Sequence, residues 1–525
     1  MQILVTDPIA DAGIDQLRDA GATVTIDTDL SGDSLAAAIG GVDALLVRSG
    51  TAVTAAVFDA ADRLQFVGRA GIGVDNIDIE AATAAGVIVA NAPDGNVRAA
   101  AEHTVAMLFA VARSIPQAHG RLHDGEWAKS AFLGVELNGK TLGIVGLGRV
   151  GQEVARRVAP LGMELLAYDP YISAERAELL GVELVDLETC LREATFVTVH
   201  TPLTPETAGL LGADELALLA DSYLINCARG GIIDEAALAE ALADGTVAGA
   251  GLDTFADEPI DAEHPLVGID TAVLTPHLGA STVAAQTDVS ASVAQQALAA
   301  LAGEPVSHAI NAPSVDETVY QQIRPYVELA VTAGTIAAQL LEGRIGTVEV
   351  SYAGEIAAED VEIITAAALQ GVFEPLEWQV NTVNAPRIAA DRGIEVTETK
   401  SRQSADFQSL IGVTVGDGDT ELGVFGTLFT GDEPRIVRID EYRVDAIPHG
   451  RMLVATNADA PGVIGFIGTV LGEHAINIAG MYNARRDEPG GEAMTVYSLD
   501  DPIPPEVEAV LEEDDRIIDV TYLEL

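Results

Sequence analysis

Through the first 98 residues, short apolar runs alternate with amphipathic stretches. QILVT, TVTI, ALLVRS and FVGRAG are separated by GIDQLRDAG, LAAAIG and AVFDAA. Strand-length runs with helical stretches between them predict βαβ units and a parallel sheet. Residues 99–115, AAAEHTVAMLFAVARSI, read as one long helix. A second βαβ series follows from 141 to about 280, and 283–302 reads as an Ala-rich helix. That helix and the first series can belong to one unit, with the second series inserted between them.

The pattern then changes. GEPVSHAINAPSVDE at 303–317 reads as a linker, and 318–342 as helical. From 346 to 447 the apolar runs are Gly-rich and strand-like, as in GTVEVSYAGEI and LGVFGTLFTG. From 451 the order is strand, helix, strand, strand, helix, strand, which is ferredoxin-like. The predicted class is α/β: two Rossmann-like or flavodoxin-like parallel-sheet units, then an α+β unit, then a βαββαβ unit. The boundaries are 1–98 plus 283–312, 99–282, 313–450 and 451–525.

Composition adds one strong feature. Hydrophobic residues make up 48% of the 525, enough for large cores. Asp and Glu number 81 against 28 Lys and Arg, a formal charge of −53, with the acids scattered along the chain. The only lysines are Lys129, Lys140 and Lys400. A globular chain this acidic repels itself unless salt screens it, so an extreme halophile's protein is expected. With no basic stripe, nucleic acid is disfavoured as a partner, and none is expected. Cys190 and Cys227, the only cysteines, offer neither a disulfide framework nor metal-ligand spacing, so no metal is expected. The opening MQILVTDP lacks the features of a leader, and no apolar run is of spanning length. A cytoplasmic protein without a membrane partner is expected.

Chemistry enters at KTLGIVGLGRVGQEVARRVAPLGMELLAYDP, residues 140–170. A strand over Thr141–Val145 runs into Gly146, Gly148 and Gly151, and a helix follows. The next strand ends at Asp169, 18 residues past Gly151. This is the context that makes a G-x-G-x-x-G a dinucleotide fingerprint. Gly146 permits a tight turn, Gly148 admits a pyrophosphate, and Gly151 allows close helix packing. The amides of Arg149 and Val150 open the helix toward an anion. Asp169 suits ribose hydroxyls and repels a 2′-phosphate, so NAD is expected rather than NADP.

Three further motifs follow strand-like runs: CARGG with Arg229, GAGLDTFADEP with Asp253 and Glu258, and LTPHLGAST with His277. Taken alone, His277 is as readily a strand-end residue capping the next helix. Open α/β sheets bind ligands at the carboxyl ends of strands, which is where all three fall. In this order the motifs resemble the D-isomer-specific 2-hydroxyacid dehydrogenase family. VGRAGIGVDNID at 67–78 and NAPDGNVRAAAEHT at 91–104 match that family's substrate-domain loops, and the likeness covers about 1–312.

The resemblance implies roles. His277 is the general base for the substrate hydroxyl, Glu258 its orienting partner, and Arg229 the fork for carboxylate and carbonyl oxygen. Thr201, Cys227, Ala228, Arg229 and Asp253 line the cofactor. The small Gly279 and Ala280, next to His277, let backbone approach the nicotinamide. Arg48 and Arg69 match substrate-side positions and suit a phosphorylated hydroxy acid. Ala52 stands where relatives often carry Lys. Ile72 and Gly73 are assigned backbone contacts with substrate, and His103 helix packing. The resemblance also assigns 1–98 plus 283–312 to substrate, 99–282 to NAD, 313–450 to an intervening role and 451–525 to an ACT regulatory unit.

The two C-terminal units resemble the long branch of that family, which oxidises 3-phospho-D-glycerate to 3-phosphohydroxypyruvate in the first step of phosphorylated L-serine synthesis. That branch implies a homo-oligomer, a dimer or tetramer. In TNADAPGVIGFIGTVLGEHAINIAGM, Asn457, Asp459 and Asn477 fall where relatives hold an L-serine effector, although some relatives have His and Asn at the first two positions. Alternatives are another D-2-hydroxyacid dehydrogenase, such as a glyoxylate or hydroxypyruvate reductase, and a non-catalytic NAD or amino-acid sensor.

Overall fold

A computed structural model describes residues 1–525 except 316, 377–378, 405, 419 and 487–488. The first sheet has five parallel strands in the order Thr23–Ile26, Gln2–Val5, Ala44–Val47, Phe66–Arg69, Ile88–Asn91. This is the flavodoxin-like order. The helix Val283–Leu301 returns to cover it. The Ser290 hydroxyl donates to the Ala10 carbonyl at 2.7 Å, and Val293 packs where a side chain at Gly68 would stand.

The second sheet has seven parallel strands in the order Ala272–Leu274, Val247–Leu252, Ser222–Asn226, Phe196–Val199, Thr141–Val145, Glu164–Tyr168, Glu183–Leu184. That is the doubly wound dinucleotide order extended by one strand, with its switch point between Thr141–Val145 and Phe196–Val199. Its central strands are mostly apolar and buried because helices cover both faces.

A six-stranded mixed sheet follows. Only Thr347–Gly354 and Glu395–Ser401 pair in parallel; the other neighbours are antiparallel. The helices Glu317–Leu340 and Glu362–Phe373 pack on it and on each other. They approach closely at glycine: a Cβ on Gly371 would lie 1.9 Å from the Val331 carbonyl oxygen. Last comes an antiparallel sheet in the order Ile478–Arg485, Glu492–Leu499, Arg451–Ala458, Ile517–Glu524, with two helices, in the ferredoxin-like order.

Two readings of the sequence are corrected. The helix expected over 99–115 is Val97–Ala112, followed by a separate helix Ile115–His123. Ser114, in a left-handed conformation (φ 48°), separates them. Pro116 lacks the N–H that a continuing helix needs, but suits a first turn. The expected linker is pinned to the first sheet: Ile310 N–H donates to Val89 O at 2.7 Å, and Asn311 bonds both Val89 N and Val87 O. Among the described residues no helix is long and apolar enough to cross a membrane.

Candidate active site

Both parallel sheets present polar residues where their strands end. The first contributes Asp7, Arg48, Arg69 and Asn91. The second contributes Asp169, Thr201, Arg229, Asp253 and His277, with the glycine turn at Gly146 beside them.

At the glycine-rich turn, Gly146 has φ 95°, and a Cβ there would strike the His200–Thr201 backbone at 2.8 Å. A Cβ on Gly151 would lie 2.3 Å from the Gly146 carbonyl oxygen, so the helix Arg149–Val158 packs directly on the turn. A Cβ on Gly148 would meet nothing within 4 Å. Protein packing therefore does not require glycine at 148, whereas a pyrophosphate approaching the backbone does. The Thr201 hydroxyl is buried and unpartnered, a further polar atom fitted to a ligand. Asp169 is fixed by Leu147 N–H at 2.8 Å and Tyr171 N–H at 2.9 Å. These groups fit a dinucleotide with free ribose hydroxyls. Arg149 does more than lend its amide: its guanidinium reaches Asp94, beyond the first sheet, at 2.7 Å. His308 Nε2 lies 3.5 Å from the same carboxylate.

Farther along the same carboxyl edge of the sheet, His277 Nδ1 lies 2.8 Å from Glu258 Oε2. Glu258 Oε1 accepts from Phe255 N–H at 3.0 Å, which fixes the carboxylate. Asp253 is wholly buried and holds the histidine loop. It accepts from Thr275 Oγ1 at 2.6 Å, Leu278 N at 2.7 Å and Gly279 N at 2.8 Å, with His103 Nε2 at 3.1 Å. Burial alone would raise the Asp253 carboxyl, but the bonds from His103, Thr275 and Leu278 outweigh it and hold the group below its ordinary value. The reading of His103 as helix packing is thereby corrected: it bonds this acid, and its Nε2 also lies 3.2 Å from Thr275 Oγ1. The Ala280 carbonyl accepts from Thr282 N–H in the turn that follows. Cys227 is a buried thiol that desolvation pushes up to about 12, so it stays protonated.

Arg229 sits between Asp75, whose carboxylate is 3.6 Å from Nε, and its own strand end, where Asn226 Nδ2 bonds the Arg229 carbonyl. A Cβ on Gly73 would lie 2.5 Å from Arg229 Nη2, and one on Gly71 only 1.6 Å from Arg69 Nη1. The glycines of the 71–73 loop thus make room for two guanidiniums. Burial, then the nearby charges of Arg229 and Arg48, lower Arg69 to about 10, and its Nε is buried without a partner. Three cations with an unpartnered donor make a corner whose chemistry suits an anion. Arg48 is placed by Asp7, which accepts from its amide at 2.6 Å. The Ile72 carbonyl accepts from Asn91 Nδ2 at 2.5 Å.

Sequence reasoning overlooks Asp7, Asp75, Asn91, Asn226 and Thr275. Asp7, Asn91 and Asn226 lie at or just past strand ends, and that position is the signal that could have found them.

Asn457, Asp459 and Asn477 are each bonded to different partners. Asn457 is buried and donates to Ala458 O; Asp459 accepts from Arg485 Nε at 2.7 Å and Gly490 N at 3.0 Å; Asn477 bonds Asp500 at 2.6 Å.

Comparisons with known proteins agree with this geometry. Residues 105–279 match the model described as D-isomer specific 2-hydroxyacid dehydrogenase, NAD binding domain. Residues 322–440 match the D-3-phosphoglycerate dehydrogenase intervening domain. The D-3-phosphoglycerate dehydrogenase of Archaeoglobus fulgidus is 44% identical over 528 residues, covering all of both chains. That of Bacillus subtilis is 44% identical over 464 residues, 87% of each chain. Among solved structures, the D-lactate dehydrogenase of Escherichia coli is 27% identical with a TM-score of 0.54. It matches 59% of this chain and 100% of its own.

Proposed function

The chain belongs to the D-3-phosphoglycerate dehydrogenases, within the D-isomer specific 2-hydroxyacid dehydrogenases, and is an NAD-dependent oxidoreductase; from this premise we propose how its own residues carry the reaction. The substrate is 3-phospho-D-glycerate, oxidised to 3-phosphohydroxypyruvate in the first step of phosphorylated L-serine synthesis. The observation that carries the catalytic reading is the 2.8 Å pair of His277 and Glu258.

Bound NAD supplies the acceptor for the hydride from C2. Gly146, Gly148, Gly151, the Arg149 and Val150 amides, Asp169 and Thr201 hold it. His277 takes the hydroxyl proton. Glu258 occupies Nδ1, which leaves Nε2 for the substrate, and its charge stabilises the imidazolium that forms. Arg229 binds the carboxylate and the carbonyl oxygen that develops at C2. Arg48 and Arg69 receive the phosphate, for which the unpartnered Arg69 Nε is a ready donor.

The protein works in the cytoplasm as a homo-oligomer, with residues 451–525 as an ACT regulatory unit that responds to L-serine. Asp459 and Arg485, side by side, offer a carboxylate and a guanidinium to a zwitterion. One assay tests the catalytic reading: NAD reduction with 3-phosphoglycerate, D-glycerate and D-lactate in molar KCl. Preference for 3-phosphoglycerate is expected. Equal turnover of D-glycerate would sink the phosphate assignment.

A further inference from the structure

The turn that carries Glu258 is held from behind by a second acid–imidazole pair. Glu235 opens the helix Glu235–Asp244. One of its carboxylate oxygens accepts from Ala256 N–H at 2.7 Å, and the other lies 2.9 Å from His264 Nε2. Both side chains are largely shielded, at 12% and 14% exposure. His264 Nδ1 accepts from Leu266 N–H at 3.3 Å, which assigns the ring proton to Nε2, facing Glu235. The His264 ring stands edge-on to Phe255, with centroids 5.5 Å apart at 78°.

Consecutive amides of the turn are thus divided between two carboxylates. Phe255 N–H goes to Glu258 and Ala256 N–H to Glu235. The same turn presses on the strand end beside Arg229: a Cβ on Gly230 would lie 1.9 Å from the Phe255 carbonyl. A shift of this turn therefore moves Glu258 and crowds Arg229 together.

We propose that Glu235 and His264 are positioning residues for the dehydrogenase reaction, fixing the 255–258 turn so that Glu258 meets His277 Nδ1. The proposal rests on the catalytic reading of His277 and Glu258. Without Glu235 the Ala256 amide turns to solvent and the turn loses one of the two carboxylates that anchor it, along with the shielded contact to His264. A carboxylate that drifts from the imidazole stabilises the imidazolium less, so His277 accepts the substrate proton less readily.

The test uses full-length E235A, E235Q, H264F and H277A in molar KCl. The measurements are kcat, both KM values, the pH profile of kcat/KM, and NAD affinity by fluorescence titration. E235A is expected to lose kcat on the order of tenfold, as small misplacements of catalytic groups do. Its KM for NAD should hold, and its acid limb should move to lower pH. E235Q keeps an acceptor for Ala256 and should recover most of kcat. Wild-type kcat and acid limb in E235A, with H277A inactive, overturn the proposal. Should E235A fail to fold, the same wild-type result in H264F overturns it. If H277A keeps its turnover, the catalytic reading itself fails, and this proposal with it.

Discussion

His277 Nδ1 lies 2.8 Å from Glu258 Oε2, and the histidine holds a left-handed backbone, φ 53°. Histidine is among the few residues that enter this region at modest cost, and such positions gather at working sites. The turn aims the ring back at Glu258 while the loop behind it is tied to Asp253. His277→Ala is expected to cut kcat by orders of magnitude while NAD affinity stays near wild type. Titration of NAD against steady-state turnover separates the two. Turnover close to wild type would remove His277 from the mechanism.

Arg69 makes a second case. Its guanidinium is lowered to about 10 by burial and by Arg229 and Arg48. The folded state thus disfavours this cation relative to the unfolded chain. At neutral pH the group is charged in both states, so the penalty stands across the neutral range and eases only as pH rises past about 10. Arg69→Met is expected to raise the Tm of the free enzyme and to raise KM for 3-phosphoglycerate severalfold. A lower Tm with an unchanged KM would make Arg69 structural instead.

The parts of the site that read out of the sequence stand where an apolar run stops. A strand end in a parallel sheet has few jobs, so Arg229, Asp253 and His277 are conspicuous there. Gly146 and Gly151 read equally well, because packing and φ exclude other residues. Asp7, Asp75 and Glu235 do not. They act through amides or guanidiniums brought near by folding, and in a chain with 81 acids one more carries no signal. His103 sits on a helical pattern that accounts for it fully until Asp253 arrives from another strand. The helix break at Ser114 was marked by Pro116, but apolar periodicity ran through it and hid the stop.

Asp169 is expected to govern cofactor choice through charge. It is already bonded by two backbone amides, so its carboxylate is fixed where a ribose 2′-phosphate would bring further negative charge. Asp169→Asn keeps the size and removes the repulsion. The ratio of kcat/KM for NADP to that for NAD is expected to rise about tenfold, roughly 1.4 kcal/mol of discrimination. A wild type that prefers NADP would overturn the assignment outright.

The C-terminal unit gives a regulatory test. Hydrogen bonding from Gly490 N–H, then from Arg485, holds the Asp459 carboxyl below its ordinary value, so it is ionised at neutral pH. An effector's ammonium would compete with Arg485 for it. Millimolar L-serine is expected to inhibit the wild type and raise its Tm, and to do neither in Asp459→Ala. If serine leaves the wild type unchanged in both measurements, residues 451–525 serve assembly rather than sensing.

The charge of −53 sets the conditions under which all of this holds. Acids outnumber bases 81 to 28, so most carboxylates cannot be paired by the available cations, and unfolding relieves their repulsion. Salt acts on that term directly, since the screening length falls from about 10 Å at 0.1 M to about 3 Å at 1 M. The ion pairs are mostly exposed and worth little each, so screening them loses far less than it gains. Tm is therefore expected to climb steeply from low salt to molar KCl and then flatten, with activity following the same curve. An equally concentrated neutral osmolyte should reproduce only a minor part of the rise, because it leaves the charges unscreened. A Tm no lower in dilute buffer than in molar KCl would show that the acid excess is balanced within the fold.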